Sequence, residues 1–315
     1  MVRCTKNVGL KAIIDEIEYK KIDSTAISFG VAPRINACGR MGFADVGLEL
    51  LTTENIQKAK EIAKSIGNFN NKRQLEEKKI FEEAVMQIKK DKLEEQDAFI
   101  LSGKNWHIGV IGIVASKITE MYYKPSILVC FDENTEVGKG SGRSITGFDL
   151  HEALTKCKDN LVGFGGHSMA VGVTINKKDF KKFQERFIEL AKEANVKNFL
   201  PVLNIDRILN IEEINRELVE SLKLLEPFGE GNPLPIFEIK NLKIDSIRSL
   251  SEGKHLKLLL KNNNIYLDAI GFNLGYLVEE YKIGDRVNIA GNLEINTFGG
   301  IDNIQFNLKD MMKSL

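Results

Sequence analysis

The sequence predicts a multidomain α/β protein in which a long connecting helix leads into an α/β domain, followed by a small five-stranded β-barrel. Three observations predict it. Residues 54–96 contain no proline, and their apolar side chains keep a helical period. Two short apolar runs at 98–102 and 125–131 flank a helical stretch, the pattern of a βαβ unit. Beyond Pro201, alternating apolar segments replace the helices. A chain of 315 residues with 43% hydrophobic and 28% charged content has the material for two or three cores.

Basic and acidic residues number 44 each, so net charge exerts no long-range pull on nucleic acid, and any such affinity has to come from a local patch. Cys4, Cys38, Cys130 and Cys157 show neither CxxC spacing nor paired histidines. That argues against zinc and fits reduced thiols in a cytoplasm. No apolar run approaches the roughly 18 residues of a membrane span, and the first residues lack a signal-peptide core. A cytoplasmic chain without a membrane partner is expected.

At 8–19, Val8, Leu10, Ile13, Ile14 and Ile17 recur at helical spacing. Residues 26–32 read as a strand ended by Pro33. Residues 33–42 then read as a glycine-containing loop carrying Arg34, Asn36 and Arg40, side chains suited to phosphate because a guanidinium grips two oxygens at once. The helix over 54–96 would span about 60 Å, with a bend or break expected at Gly67 and Asn70-Asn71. Lys72 and Arg73 beside that point are solvated surface or a backbone contact to nucleic acid.

In the α/β domain, Gly109 and Gly112 predict close approach of helix 110–123 to the sheet, and the first turn of that helix carries amides that favour an anion. Trp106 and His107 precede it: a stacking ring and a phosphate donor, or, for the tryptophan, a domain anchor. The stretch 137–144 alternates glycine with other residues, thinning a strand so that its backbone can lie against a ligand. There Ser141, Gly142, Arg143 and Ser144 offer hydroxyls and a bidentate cation. Asp149 and Glu152 form a capping-box pattern, which makes His151 structural. At 163–172, Gly165 and Gly166 permit a sharp turn with amides toward an anion, His167 adds a donor, and Ser168 keeps the approach narrow. Helix 176–194 follows, with Lys177, Lys178, Lys181 and Lys182 at its start as a phosphate-facing patch or solvated surface.

A helix at 218–225 should pack outside the barrel. The strands are expected at 235–247, 255–261, 265–272, 286–294 and 301–308, with a helical stretch at 274–281 between the third and fourth, the order of an OB-fold. Tyr266, Phe272 and Phe298 are candidates for stacking bases, although phenylalanines on strands more often join the core.

Residues 165–172, Gly-Gly-His-Ser-Met-Ala-Val-Gly, resemble the GGHxxAAG signature of the DHH-associated domain of the DHH phosphoesterases. Residues 106–116, 32–40 and 226–233 resemble segments of one family in that superfamily, the RecJ-type single-strand-specific 5′→3′ DNA exonucleases, and the likeness covers nearly the whole chain. No Asp-His-His triplet is present. The resemblance implies 1–53 as the C-terminal remnant of a DHH catalytic domain, 54–96 as the interdomain helix, 97–199 as the DHH-associated substrate-binding domain and 200–315 as the OB-fold. It implies that Ser141 and Arg143 hold the 5′ end of the strand and that His167 serves substrate and catalysis. It also implies that the full enzyme uses Mn²⁺ or Mg²⁺ with ligands absent from this chain, in which no metal site is expected. The partner implied is single-stranded DNA, with a helicase or single-strand-binding protein besides, and the chain is expected to be a monomer inactive by itself. Two alternatives are a small-substrate phosphoesterase of the superfamily acting on oligoribonucleotides or nucleotides, and a non-catalytic nucleic-acid-binding module. The long segment after Pro201 argues against the first, and residues 32–37 against the second.

Overall fold

The computed structural model describes residues 5–19, 22–132, 135–298 and 301–314. Cys4 lies outside them. The chain divides into two compact units, one ending at Pro201 and the other starting at Val202. Among the described residues, no helix is long and apolar enough to cross a membrane.

The first unit opens with α1 (Val8–Glu16), whose N-terminus is capped by the Asn7 side chain accepting from the Leu10 amide at 2.7 Å. Residues 24–40 are helical throughout, not a strand and a loop. A turn of α-helix, α2 (Ser24–Ala26), capped by Asp23, passes through a π-helical turn at Ile27–Val31 into α3 (Ala32–Arg40). Pro33 misled the reading as a terminator. It lies inside a continuous helical segment, directly after the π-helical turn, whose wider hydrogen-bond spacing accommodates the proline ring and its missing N–H.

After α4 (Ala44–Thr52) comes α5 (Ile56–Lys90), an uninterrupted helix of 35 residues. No break occurs at Gly67 or Asn70-Asn71, because both halves are held by burial that outweighs the roughly 1 kcal/mol propensity cost of a glycine. Ala59, Ile62, Ala63 and Ile66 share a core with Ala12, Ile13, Ile17 and Leu50. Ile80, Ala84 and Ile88 share another with Phe99, Val110, Val114 and Leu128. Between the two, the covered face of α5 turns polar. Asn70 is buried and accepts from Arg73 Nη2 at 3.1 Å, while Glu77 is paired with both Arg73 and Lys117. Arg73 is therefore a structural cation, not a nucleic-acid contact.

The βαβ unit is β1 (Phe99–Lys104), α6 (Ile108–Tyr122) and β2 (Ser126–Phe131), with β1 and β2 parallel. The sheet continues antiparallel through β3 (Val137–Arg143), passes α7 (Leu150–Lys156), and ends in the hairpin β4 (Gly163–Gly166) and β5 (Ala170–Asn176), in the order β1-β2-β3-β5-β4. One face carries α6. The other carries α7 and α8 (Phe180–Glu193), with Phe183, Phe187 and Leu190 packed on Ile127, Val129 and Val173. The outer edge of β1 is occupied by side chains: Gln184 Nε2 donates to the Ile100 carbonyl at 2.8 Å and Gln87 Nε2 to that of Ser102 at 2.9 Å.

The second unit holds β6 (Arg207–Leu209), α9 (Arg216–Leu222), β7 (Phe237–Leu250), β8 (His255–Asn262), β9 (Ile265–Gly271), β10 (Arg286–Phe298) and β11 (Ile301–Lys313). The strand order is β10-β11-β9-β8-β7-β6, and a further β10–β7 pairing closes the five long strands into an OB-like barrel. Only a 3-10 turn, Gly275–Val278, stands where the helical stretch was expected. Tyr266 and Phe272 are exposed rather than core, and Phe272 meets His255 edge-on. The side chain of Phe298 lies outside the described residues.

The alternating glycines of β3 serve the core and not a ligand. A Cβ on Gly138, Gly140 or Gly142 would run into Phe131, Val173 or Val171 respectively. Gly140→Ala should therefore cost about 1–3 kcal/mol by overpacking. Gly165→Ala, at a position with no atom within 4 Å of the added Cβ, should stay within about 0.5 kcal/mol. Urea unfolding of the two variants checks the contrast.

Candidate nucleic-acid interface

The α6 face of the sheet gathers the polar and cationic candidates. Odd-numbered residues of β3 point to this side, so Ser141 and Arg143 lie under the first half of α6, where Gly112 leaves room for them. A Cβ at Gly112 would sit 2.9 Å from Ser141 Oγ and 3.2 Å from Arg143 Nη2. Arg143 Nη1 donates to Ser141 Oγ at 3.1 Å and to the Gly142 carbonyl at 2.7 Å, which fixes the guanidinium with donors to spare. No carboxylate pairs with it among the described residues. Burial first, and then the nearby Arg40 cation, push Arg143 below the usual arginine range. It stays charged at any ordinary pH.

Arg40 arrives from a distant part of the chain. Its backbone carbonyl packs so closely on Gly109 that a Cβ there would collide with it, and its Nη1 donates to the Gly109 carbonyl at 3.3 Å. The C-terminus of α3 is thus locked against the start of α6, and two cations converge without an anion between them.

Next to this pair the sheet is bare. Ser141 registers with Gly172 and Gly172 with Gly165 across three strands, while Arg143 registers with Ala170. The His167 amide donates to the Ala170 carbonyl at 2.9 Å, which extends the second row to His167, about 10 Å from Arg143 across two strand spacings. Gly163, Gly165, Ala170 and Gly172 are all exposed. A Cβ on Gly163 or Gly165 would meet nothing within 4 Å, and one on Gly172 only the Gly140 carbonyl at 4.0 Å. Their φ values are ordinary, so neither packing nor backbone geometry calls for glycine. Gly166 differs: its φ of 136° and the crowding of Ala170 against it make glycine necessary for the turn.

Comparisons with known proteins give this geometry a family. Residues 95–193 match the DHHA1 domain and residues 205–310 the RecJ OB domain. The single-stranded-DNA-specific exonuclease RecJ of Bacillus subtilis is 35% identical over 98% of this chain, and that of Haemophilus influenzae 32% identical over 96%. The structure of Thermus thermophilus RecJ in complex with Mn²⁺ superposes on the whole chain with a TM-score of 0.85 at 29% identity. The chain belongs to the RecJ family. It spans 40% of the length of the Bacillus protein, 54% of the Haemophilus protein and 45% of the Thermus chain. The Thermus protein has also been solved with Mg²⁺. Among the described residues of this RecJ-family chain, no group of three or more His, Cys, Asp and Glu side chains is placed to hold a metal ion.

Several expected contacts fall elsewhere in the RecJ-family fold. Trp106 is 3% exposed, donates from Nε1 to Glu83 at 2.6 Å and packs in the α5–α6 core, so it anchors the domain and cannot stack on a base. His107 caps α6. Its Nδ1 accepts from the Gly109 amide, and its carbonyl takes those of Val110 and Ile111, so the first-turn amides expected to meet an anion are already engaged. Ser144 is buried and donates to the Phe148 carbonyl at 2.6 Å. Gly142 faces the core and lends only its carbonyl. Arg34 turns back to the Gly30 carbonyl at 2.8 Å, away from Asn36 and Arg40, which share the exposed side of α3 one turn apart. Lys177 and Lys181 lie in exposed ion pairs with Glu136 and Glu185, and Lys178 and Lys182 are exposed beside them. His167 and Ser168 are exposed at the hairpin tip. The close approach of Gly112 to the sheet was expected from sequence and is found, against Ser141 and Arg143; the bare strip was missed, although the Gly-x-Gly spacing of 163–165 signalled it.

An unpaired, half-buried cation next to another is relieved by an anion. Inorganic phosphate should therefore raise the melting temperature of the chain in a concentration-dependent way. Arg143→Ala should abolish that rise. Ser144→Ala should keep it while lowering the starting stability by about 1–3 kcal/mol, the cost of a lost buried hydrogen bond. Thermal scans with and without phosphate separate the two roles.

Proposed function

We propose that this chain is the substrate-binding part of a RecJ-type 5′→3′ exonuclease acting on single-stranded DNA. The observation that carries the reading is the bare glycine strip flanked by Arg143 and His167. Glycine in a strand is a cost, and here nothing in the fold recovers it. A ligand lying flat on the sheet does, with its terminal phosphate at Arg143, Ser141 and Arg40 and its sugar and base over Gly165 and Gly172. Arg143 acts as a pre-set bidentate clamp, held by Ser141 and the Gly142 carbonyl before any strand arrives. His167, at the far end of the row, would donate to the next phosphate toward the scissile bond. That is the part it would play in catalysis.

Hydrolysing a phosphodiester in this way draws on divalent ions, Mn²⁺ or Mg²⁺, that hold and activate water. The described residues supply no cluster for such ions, so the steps assigned to them are binding, orientation and charge neutralisation, and the chain by itself is expected not to cleave. The barrel offers a binding element of its own, in which Tyr266 and Phe272 present exposed rings on which bases can stack. A helicase or a single-strand-binding protein that delivers the strand completes the set of partners, in the cytoplasm.

A fluorescent single-stranded DNA oligomer with a 5′-phosphate should bind more tightly than the same oligomer without it, measured by anisotropy at one fixed salt concentration. Arg143→Ala should remove that preference at a cost of about 1.5–3 kcal/mol, because a charge-assisted contact is lost. Gly165→Ala should weaken binding while leaving the unfolding midpoint unchanged. Equal binding of both oligomers by the unsubstituted chain would overturn the end-anchoring role.

A further inference from the structure

Where the two cores that share α5 part, a pair of aromatic rings is left open to solvent. Phe43 follows the turn that ends α3 and stacks on Phe69 of α5, with ring centroids 4.5 Å apart and planes within 4° of each other. Phe43 remains 48% exposed. The other stacked or edge-on phenylalanine pairs of the first unit each contain a ring that is buried in a core. This pair sits at the rim. A parallel stack with one ring half open is a step onto which a third flat ring can be laid.

The surroundings say which ring. Arg40, three residues before Phe43, reaches the start of α6 and lies close enough to Arg143 to perturb it. Lys72, three residues beyond Phe69 on α5, is exposed on the same stretch of helix. Asp45, two residues after Phe43, is the one acid in the first turn of α4, where it complements that helix's N-terminus. An exposed aromatic step with a cation three residues in sequence from each of its two rings suits a single strand, whose bases stack while its phosphates meet cations.

We propose that Phe43, backed by Phe69, holds a nucleobase of the strand whose terminal phosphate lies between Arg143 and Arg40. The proposal rests on the single-strand reading above and adds to it a base subsite that lies off the sheet. Stacking needs only a π face, so the step accepts any base and extends the grip on the strand without adding sequence preference.

The test uses 5′-phosphorylated DNA oligomers, either intact or carrying one abasic site at each of the first several nucleotides in turn, with the unsubstituted chain, Phe43→Leu and Phe43→Trp. Phe43→Leu keeps apolar volume against Phe69 but removes the ring. It should bind the intact oligomer about ten-fold more weakly, while Phe43→Trp binds as tightly as the unsubstituted chain. At one abasic position the unsubstituted chain should lose the same factor, and Phe43→Leu should lose nothing more. The proposal falls if Phe43→Leu binds the intact oligomer as the unsubstituted chain does. It also falls if its deficit is the same at every abasic position, the mark of a purely structural loss. In either case a preserved dependence on Arg143 leaves the single-strand reading standing. Failure of the unsubstituted chain to bind the intact oligomer would remove both.

Discussion

One helix belonging to two hydrophobic cores is the constraint on which the first unit depends. Ile66 and Ile80 of α5 are both fully buried, yet they serve separate clusters, and the covered face between them is polar. Rigid α-helical geometry turns this into a fixed distance of about 21 Å between the two anchor points. The Arg73–Glu77–Lys117 network ties the middle of α5 to α6 where apolar packing is suspended. Removing either cation would weaken the pairing of the buried Glu77 carboxylate, so the network holds α6 against the middle of α5. It sets where α6 lies, hence where Gly112 opens over Arg143, and where the end of α3 can deliver Arg40.

The two faces of one sheet use glycine for opposite ends. Toward α7 and α8, the missing side chains of Gly138, Gly140 and Gly142 are replaced by valines and a phenylalanine from neighbouring strands, and the space is filled. Toward α6, nothing replaces those of Gly163, Gly165 and Gly172. The same residue type therefore means interdigitation on one side and vacancy on the other. Only the second leaves open surface. A half-buried guanidinium beside that vacancy, already oriented by two hydrogen bonds, would lose little freedom on receiving an anion.

Much of this was legible before any coordinates. The βαβ unit and the five barrel strands follow from periodicity, because apolar spacing reflects which face is covered; the closing hairpin does not, because the glycines of 163–166 read as a turn and form a strand. Ser141 and Arg143 were named from one resemblance and Gly165 and His167 from another, and register shows that the two segments lie on adjoining strands of one face. What failed did so for physical reasons. Pro33 punctuates a sequence whether it ends a strand or starts a helix, and only the π turn before it decides between them. Trp106 and Ser144 look alike as ligands or anchors in one dimension, since burial depends on what lands on them from elsewhere: Glu83 in one case and the Phe148 carbonyl in the other. Phe43 carried no pattern at all, because its neighbour Phe69 is 26 residues away and the stack exists only through the α3–α5 contact.

The side chains lying along β1 have a consequence for the molecule in company. An edge strand with open carbonyls is a template for another chain's strand, and short α/β domains are exposed to that hazard while they fold and whenever they breathe. Gln184 and Gln87 occupy the Ile100 and Ser102 carbonyls with amides of their own. They stand in for the strand that would otherwise be recruited, and they come from two different helices, so exposing the edge requires α5 and α8 to loosen together. Resistance to self-association is thereby coupled to the packing that shapes the interface on the opposite half of the sheet.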